Sequence, residues 1–210
     1  MRTASVGGMT PTSVTDAPLL GEPWPVEFMN TIWADRAGLH DSLATDAGIE
    51  AWVRAAFPTP DMTTADLQPS AQRLRELRNA MRRLAAAQTG DPRAVATSGL
   101  TNLDQAVSTV NSAAAGAPHW HELRWPDAGH PSRAVSTHAG AGAVRAARLA
   151  EQAIELFTSD QRLELRACLA PGCVLYFLKH HPRREWCSTT CGNRARAARH
   201  YQRHRTAGSG

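Results

Sequence analysis

The sequence lacks the features by which many classes of protein are identified. It has no run of 18 apolar residues, and its N-terminus has no continuous apolar stretch, so we predict neither a membrane span nor a secretion signal. It also has no glycine-rich phosphate loop, no nucleophile elbow and no pair of catalytic carboxylates. We therefore expect a soluble, cytoplasmic protein that is not an enzyme.

Acidic residues are almost missing from the C-terminal part of the chain. Between Arg166 and Arg205 there are nine Lys or Arg residues and one acid, Glu185, which gives this window a formal charge of +8. The rest of the chain carries −4. A mildly acidic body joined to a strongly basic end indicates a polyanionic partner for that end.

Cysteine is scarce as well, and all four cysteines lie in this window with the spacing C-x4-C-x13-C-x3-C. The loop between Cys168 and Cys173 contains Pro171-Gly172, which favours a tight turn, while Cys187 and Cys191 are about one helical turn apart. Two close thiol pairs joined by a short apolar β segment supply the ligands of one tetrahedral zinc ion. Four thiolates leave no open position, so we predict one structural zinc per chain. The alternatives are two disulfides, four unconnected thiols, or a ligand from His180 or His181.

The remaining pattern predicts an α+β fold that is mainly helical, with a small β component in the body and a zinc-stapled β-hairpin and helix after it. Predicted helices cover residues 45–58, 70–90, 100–115 and 139–158, and predicted strands cover 25–33, 119–125, 134–136 and 162–167. We divide the chain into a disordered leader (1–18), a regulatory body (19–160), a zinc module with a basic helix (161–206) and a flexible tail (207–210).

The residues around the last two cysteines resemble the CGNR zinc finger. This resemblance rests on Trp186-Cys187-Ser188 and Cys191-Gly192-Asn193-Arg194, preceded by C-x4-C and an apolar strand. The upstream body is similar to the ABATE domain that usually precedes this finger, through Gly21-Glu22-Pro23, residues 26–31 and residues 41–52. Two departures remove no ligand: three rather than four residues separate the last cysteines, and Lys179 stands where an acidic residue often follows the strand. The resemblance covers about residues 19–206 and implies a bacterial DNA-binding regulator.

The stretch after Cys191 predicts a helix with Ala195, Ala198 and Tyr201 on its inner face. The planar guanidinium of arginine suits contacts with phosphate oxygens and guanine edges, and phosphate contacts are the commoner kind. The predicted DNA-binding residues are Arg183, Arg184, Arg194, Arg196, Arg199, His200, Arg203 and Arg205. Because 22 of the 23 basic residues of the chain are arginine, a solvated helix without a partner is the alternative.

These observations lead to the hypothesis of a zinc-dependent DNA-binding transcription regulator. Its partner is duplex DNA, and its body senses a small-molecule effector or forms a homodimer. The alternative is a protein-interaction adaptor whose zinc module docks an acidic protein. Glu27, Asn30 and Thr31 are candidates for an effector pocket, with a satisfied structural hydrogen-bond network as the other interpretation. We expect loss of the metal to unfold the C-terminal module alone, because that module has little core of its own.

Overall fold

A computed structural model describes residues 19–57, 64–97 and 99–207, and the fold of these residues is α+β and mainly helical, as predicted. The helices are α1 (Trp24–Met29), α2 (Asp46–Ala56), α3 (Thr64–Leu67), α4 (Ala71–Thr89), α5 (Ala94–Thr97), α6 (Leu103–Ala115), α7 (Ala141–Thr158) and α8 (Thr189–Ala207). The strands are β1 (Ile32–Ala34), β2 (Leu39–Asp41), β3 (His119–Arg124), β4 (Ser132–Thr137), β5 (Leu165–Ala167) and β6 (Tyr176–Leu178). They pair as three antiparallel two-stranded sheets, β1–β2, β3–β4 and β5–β6.

The two ends of the chain fall partly outside the described residues. The predicted disordered leader lies outside them entirely, and so do residues 208–210 of the predicted tail. Among the described helices, none has the length and apolar character needed to cross a membrane. The division into body and module stays a prediction.

Local signals set several helix ends where the sequence predicts them. Thr45 caps α2, since its Oγ1 accepts a hydrogen bond from Gly48 N at 3.1 Å. Gly90 ends α4 in the left-handed conformation, with φ of 64°. The predicted hairpin is confirmed as β3–β4, with His119 opposite Thr137 at its base.

Helix α4 lies at the centre of the main hydrophobic core. Its buried residues Leu74, Leu77 and Met81 pack against α1, α6 and α7. The same core also contains Tyr176 and Leu178 of β6. A second, smaller cluster surrounds the four cysteines, and Leu20 and Trp33 of the body pack against it. The zinc module and the body therefore bury apolar side chains against each other in both clusters.

The predicted strand over residues 25–33 is wrong. This segment begins as α1, and only its end, from Ile32, is extended as β1. A short apolar run does not distinguish a buried strand from a buried helix. Pro25 lies in the first turn of α1, where a missing backbone N–H costs nothing, so proline here favours the start of a helix.

Two further expectations need correction. The predicted strand over residues 162–167 is shortened to β5, because residues 160–163 form a 3₁₀ turn closed by a bond from Glu164 N to Gln161 O. From the sequence we also expected one apolar stripe on α7 made of Ala143, Ala147, Ala150, Ile154 and Phe157, but only Ala147 and Ala150 of these are buried, because α1, α4 and α6 all pack against this helix. The buried residues of α7 are Gly142, Ala146, Ala147, Leu149, Ala150, Ala153 and Leu156.

Candidate metal centre and nucleic-acid interface

Short local elements bring the four cysteines together. Cys168 follows β5, Cys173 lies just before β6, Cys187 precedes α8, and Cys191 lies in the first turn of α8. Gly172, with φ of 71°, allows the turn in which Cys173 N donates to Ala170 O at 2.9 Å. All four cysteine side chains are buried as a result.

The sulfur positions fit one tetrahedral metal ion. The four Sγ atoms all lie within 4.8 Å of one another, with 3.8 Å between Cys173 and Cys187 and 3.4 Å between Cys187 and Cys191. A tetrahedron with Zn–S bonds of about 2.3 Å has sulfur atoms about 3.8 Å apart. Four buried thiolates close the coordination sphere, so this zinc is structural.

The thiols strongly influence one another's acidity. Hydrogen bonds from Cys173 and Cys187 lower the pKa of Cys168, whereas the bonds to Cys168 raise the pKa of both partners. Burial raises these thiol pKa values further. A divalent cation stabilises all four as thiolates, because its charge outweighs their mutual repulsion.

Arginine side chains surround the cysteine cluster. Arg194 Nη2 donates to Cys191 Sγ at 2.9 Å, and this bond raises the pKa of Arg194. Arg93 Nη1 donates to the carbonyl oxygens of Cys168, at 2.9 Å, and of Cys173. Arg93 is itself held by an ion pair with Asp91, so the body of the protein orients the first pair of zinc ligands.

A fully buried arginine links the body to the start of β6. Arg82 is 0% exposed, and its Nη1 and Nη2 donate to Met29 O at 2.7 Å and Val174 O at 3.1 Å. Its guanidinium lies 5.1 Å from the centre of the Tyr176 ring. Burial lowers the pKa of Arg82 to about 10, so the side chain remains charged at neutral pH.

The predicted pocket residues lie in this junction. Asn30 Nδ2 donates to Tyr176 O at 2.9 Å and its Oδ1 accepts from Tyr176 N at 2.8 Å, so the carboxamide pairs with β6 as a strand would. Glu27 Oε1 accepts from Leu20 N and Glu22 N, and Thr31 Oγ1 donates to Phe28 O. Most polar groups that suggested an effector pocket thus bond within the chain, but Glu27 Oε2 is buried without a hydrogen-bond partner in the described structure.

Two predicted DNA contacts bond to the body or to the cysteine cluster, and Arg196 Nη2 also donates to Asn193 Oδ1 on its own helix. Arg184 forms an ion pair with Glu22, donates to Leu178 O at 2.9 Å and covers the Phe177 ring. Arg194 bonds the cysteine cluster, as described above. A DNA contact by either residue would compete with these bonds.

The other predicted contacts lie on α8 and on the turn before it. Arg196, Arg199, His200 and Arg203 are exposed, whereas Cys191 and Ala195 face inward. Arg199 lies over the Trp186 ring, 5.7 Å from its centre. The predicted inward position of Tyr201 is wrong, because its side chain is 71% exposed. The side chain of Arg205 lies outside what the structure describes.

A recess of about 350 Å³ separates the turn before α8 from the helix itself. Arg183 and Arg196 lie on its wall, together with the hydroxyl-bearing residues Ser188 and Thr189 at the start of α8. Helix N-termini and arginine side chains both attract phosphate oxygens. The recess is therefore suited to one phosphate of a nucleic-acid backbone, although Glu185 also lines it.

Sequence reasoning missed Arg82, Arg93 and Glu22, which hold the finger to the body. The spacing within α4 does indicate that Arg82 faces the core, because Leu74, Arg78 and Arg82 are four residues apart and share one face of the helix. Arg82 lies outside the apolar stripe of Leu77, Met81 and Leu84 in the sequence, yet its side chain is buried. Nothing in the sequence indicates which backbone oxygens Arg82 and Arg93 bind.

Comparison with known families assigns both parts of the chain. Residues 22–160 match the ABATE model, described as "Putative stress-induced transcription regulator", and residues 164–204 match the CGNR zinc finger. Neither description names an enzymatic activity. A comparison with curated proteins gave no match.

Proposed function

We propose that this chain, which belongs to the ABATE family and carries a CGNR zinc finger, is a zinc-dependent transcription regulator that binds duplex DNA through α8. One observation carries the proposal. The buried cysteine cluster fixes the first turn of α8, while residues 199–204 of the same helix are exposed on every side. A rigidly held helix with an exposed, basic second half is suited to enter a major groove.

Charge supports this interpretation of α8. No Asp or Glu occurs from Trp186 to the end of the chain, whereas arginine recurs at 194, 196, 199, 203 and 205. Arg196, Arg199 and Arg203 lie three or four residues apart, so they follow one side of the helix. Contact between Arg199 and the Trp186 ring restrains the guanidinium and reduces the entropy lost on binding.

We assign the contacts by the exposure of each side chain in the structure. Arg196, Arg199, His200 and Arg203 form the principal surface for DNA, and Arg183 reaches a phosphate from the turn. Arg184 and Arg194 instead hold that surface in position. The zinc takes no part in chemistry; it joins β5, β6 and α8 into one module.

Binding of the purified, zinc-loaded protein to short duplexes tests the proposal. Each phosphate contact contributes about −0.9 to the slope of log affinity against log salt concentration, so we expect a slope of about −3 to −4. Arg199→Gln should weaken binding about 5- to 10-fold at 0.1 M salt, equivalent to about 1–1.4 kcal/mol, and reduce the slope by about one. Fluorescence anisotropy measures both quantities.

Arg133→Gln is the matched control, because it removes the same charge from an exposed position on β4. Its affinity and slope should equal those of the wild type. Equal losses in the two variants, or no binding at low salt, would contradict the proposal. Equal affinity for polyglutamate and for DNA would favour the adaptor alternative.

A further inference from the structure

A cavity of about 440 Å³ lies in the helical body and shares no lining residue with the zinc site. Helices α4, α6 and α7 form its walls. The larger apolar side chains that line it are Leu84, Leu103, Val107, Val110, Ile154 and Phe157. Its volume falls within the range of about 300–1,000 Å³ that is typical of small-molecule sites.

The polar groups on the cavity wall carry no charge. They belong to Gln88, Asn111 and Thr158, and the described lining residues include no Asp, Glu, Lys, Arg or His. An ionised ligand would lose hydration here without meeting an opposite charge. The lining therefore favours an uncharged, mainly apolar molecule with one or two hydrogen-bonding groups.

Apolar surface around this cavity remains in contact with water. Leu103 and Val107 are 42% and 43% exposed, and Ile154 is 36% exposed. Covering such side chains is favourable, because apolar surface is removed from water. The surface is concave, which suits a small molecule enclosed by three helices.

One wall of the cavity belongs to α4, the helix whose Arg82 contacts the zinc finger. Leu84, Ala87 and Gln88 line the cavity from α4, and Arg82 of the same helix binds the finger at Val174 O. Gln88 Nε2 also donates to Arg162 O at 3.2 Å. Arg162 in turn donates to Ser159 O at 2.8 Å, just after the cavity residue Thr158. A shift of α4 relative to α7 would therefore act directly on the segment that enters β5.

We propose that this cavity is the effector site of the protein and binds an uncharged, mainly apolar small molecule. Its occupancy changes the position of α4 and thereby the hold of the body on the zinc finger. The regulatory part of this inference rests on the proposed function, whereas the binding part does not.

Two fluorescent probes with the same ring skeleton test the binding part. N-phenyl-1-naphthylamine is uncharged, and 1-anilinonaphthalene-8-sulfonate carries one negative charge. For the zinc-loaded full chain we expect saturable binding of the uncharged probe, one per chain, and at least 10-fold weaker binding of the anionic probe. Equal binding of both, or no saturable binding of the uncharged probe, overturns the assignment.

Two variants locate the site. Val107→Glu places a charge in the wall, and Ala87→Trp fills the cavity from an exposed position on α4. Each should weaken the uncharged probe at least 10-fold. Val135→Glu is the matched control, because Val135 is 48% exposed on β4 and lies outside this cavity, and it should bind as the wild type does. If probe binding is lost in all three variants, or in none of them, the site does not lie in this cavity.

Zinc release tests the coupling without relying on DNA. The uncharged probe should slow zinc transfer to a chromogenic chelator at least threefold in the wild type and leave the rate unchanged in Ala87→Trp. If the probe binds but the rate stays the same, the coupling is wrong. A wild-type dimer that Val107→Glu converts to a monomer would show instead that a second copy covers the cavity. Failure of DNA binding alone would contradict the proposed function and leave the site intact.

Discussion

Arginine side chains fall into two groups in this molecule, according to their burial. Arg82 and Arg93 bind backbone oxygens at the junction of body and finger, whereas Arg196, Arg199 and Arg203 point outward from α8. Desolvation of a guanidinium is costly, so a buried arginine needs partners for most of its donors; Arg82 Nε alone among the donors of Arg82 has none within the described residues. Arg82 and the half-buried Arg93 therefore hold the finger to the body, whereas Arg196, Arg199 and Arg203 face the solvent.

At the scale of single residues, Arg82→Ala should strongly destabilise the protein. The substitution leaves Met29 O and Val174 O without their donor and opens a cavity beside Tyr176. We expect the free energy of unfolding to fall by about 3–5 kcal/mol, as for other broken buried polar networks. Urea titration followed by circular dichroism measures this loss.

Arg73→Ala serves as the control for Arg82→Ala, because Arg73 is an exposed residue of the same helix. Its effect should lie within about 0.5 kcal/mol of zero. A loss below about 1 kcal/mol for Arg82→Ala would show that the guanidinium bonds at the junction contribute little.

At the scale of elements, β6 depends on the body for part of its backbone bonding. It pairs with β5 on one edge. In addition, the Asn30 carboxamide bonds the backbone N–H and C=O of Tyr176, and Glu22 Oε2 accepts a hydrogen bond from Leu178 N at 3.0 Å. A two-stranded sheet is marginal in water, so these side chains replace a missing third strand. The finger is folded against the body by the same bonds that complete its sheet.

Asn30→Ala tests this dependence. The variant leaves the N–H and C=O of Tyr176 buried without partners, and each such group costs about 1–3 kcal/mol. We expect a loss of about 2–4 kcal/mol and faster release of zinc to a chelator. Gln105→Ala, at an exposed position of α6 outside the cavity, should change neither quantity. An Asn30→Ala protein with wild-type zinc retention would contradict the role of Asn30 in supporting the finger.

At the scale of the whole molecule, the shared core predicts cooperative unfolding. Leu165, Tyr176 and Leu178 of the finger belong to the main core, and Arg82, Arg93 and Arg184 bridge the two parts. These contacts replace our expectation from the sequence that metal loss would unfold the finger alone. We now expect removal of zinc to destabilise the body as well.

Zinc removal can be followed in both parts at once. Trp33 packs against the cysteine cluster, so both Trp33 and Trp186 are changed to Phe. In this double variant, tryptophan fluorescence reports on the body away from the cysteines, including the buried Trp52, while a chelator dye reports on the metal. The two transitions should coincide on heating, and chelation should lower the Tm by about 10 °C or more, because each kcal/mol shifts the Tm by about 2–4 °C at this chain length. Separate transitions would restore the independent-module interpretation.

Much of the local structure follows from the sequence, because short-range chemistry decides it. Thr45 and Gly90 act on their own helix ends, and the β3–β4 hairpin follows from alternation and turn residues. The first strand was predicted wrongly because an apolar run fits two kinds of buried element, and tertiary packing selects between them. The predicted inward position of Tyr201 was wrong because residues 199–204 of α8 are all exposed, so this part of the helix has no buried face.

By itself, the sequence determined the zinc site and the basic end of the chain. A tight turn orients the first cysteine pair and one helical turn orients the second, so the spacing of the cysteines predicts the ligand set. The basic end follows directly from composition, because charge does not depend on the fold. Only the tertiary structure decided which arginines are buried, where Asn30 bonds and that a cavity lies between α4, α6 and α7. Arg82 lies 92 residues from Val174 along the chain, and no local rule links them. Such pairs form only when the core packs, because packing determines which distant backbone groups lose water and need a partner.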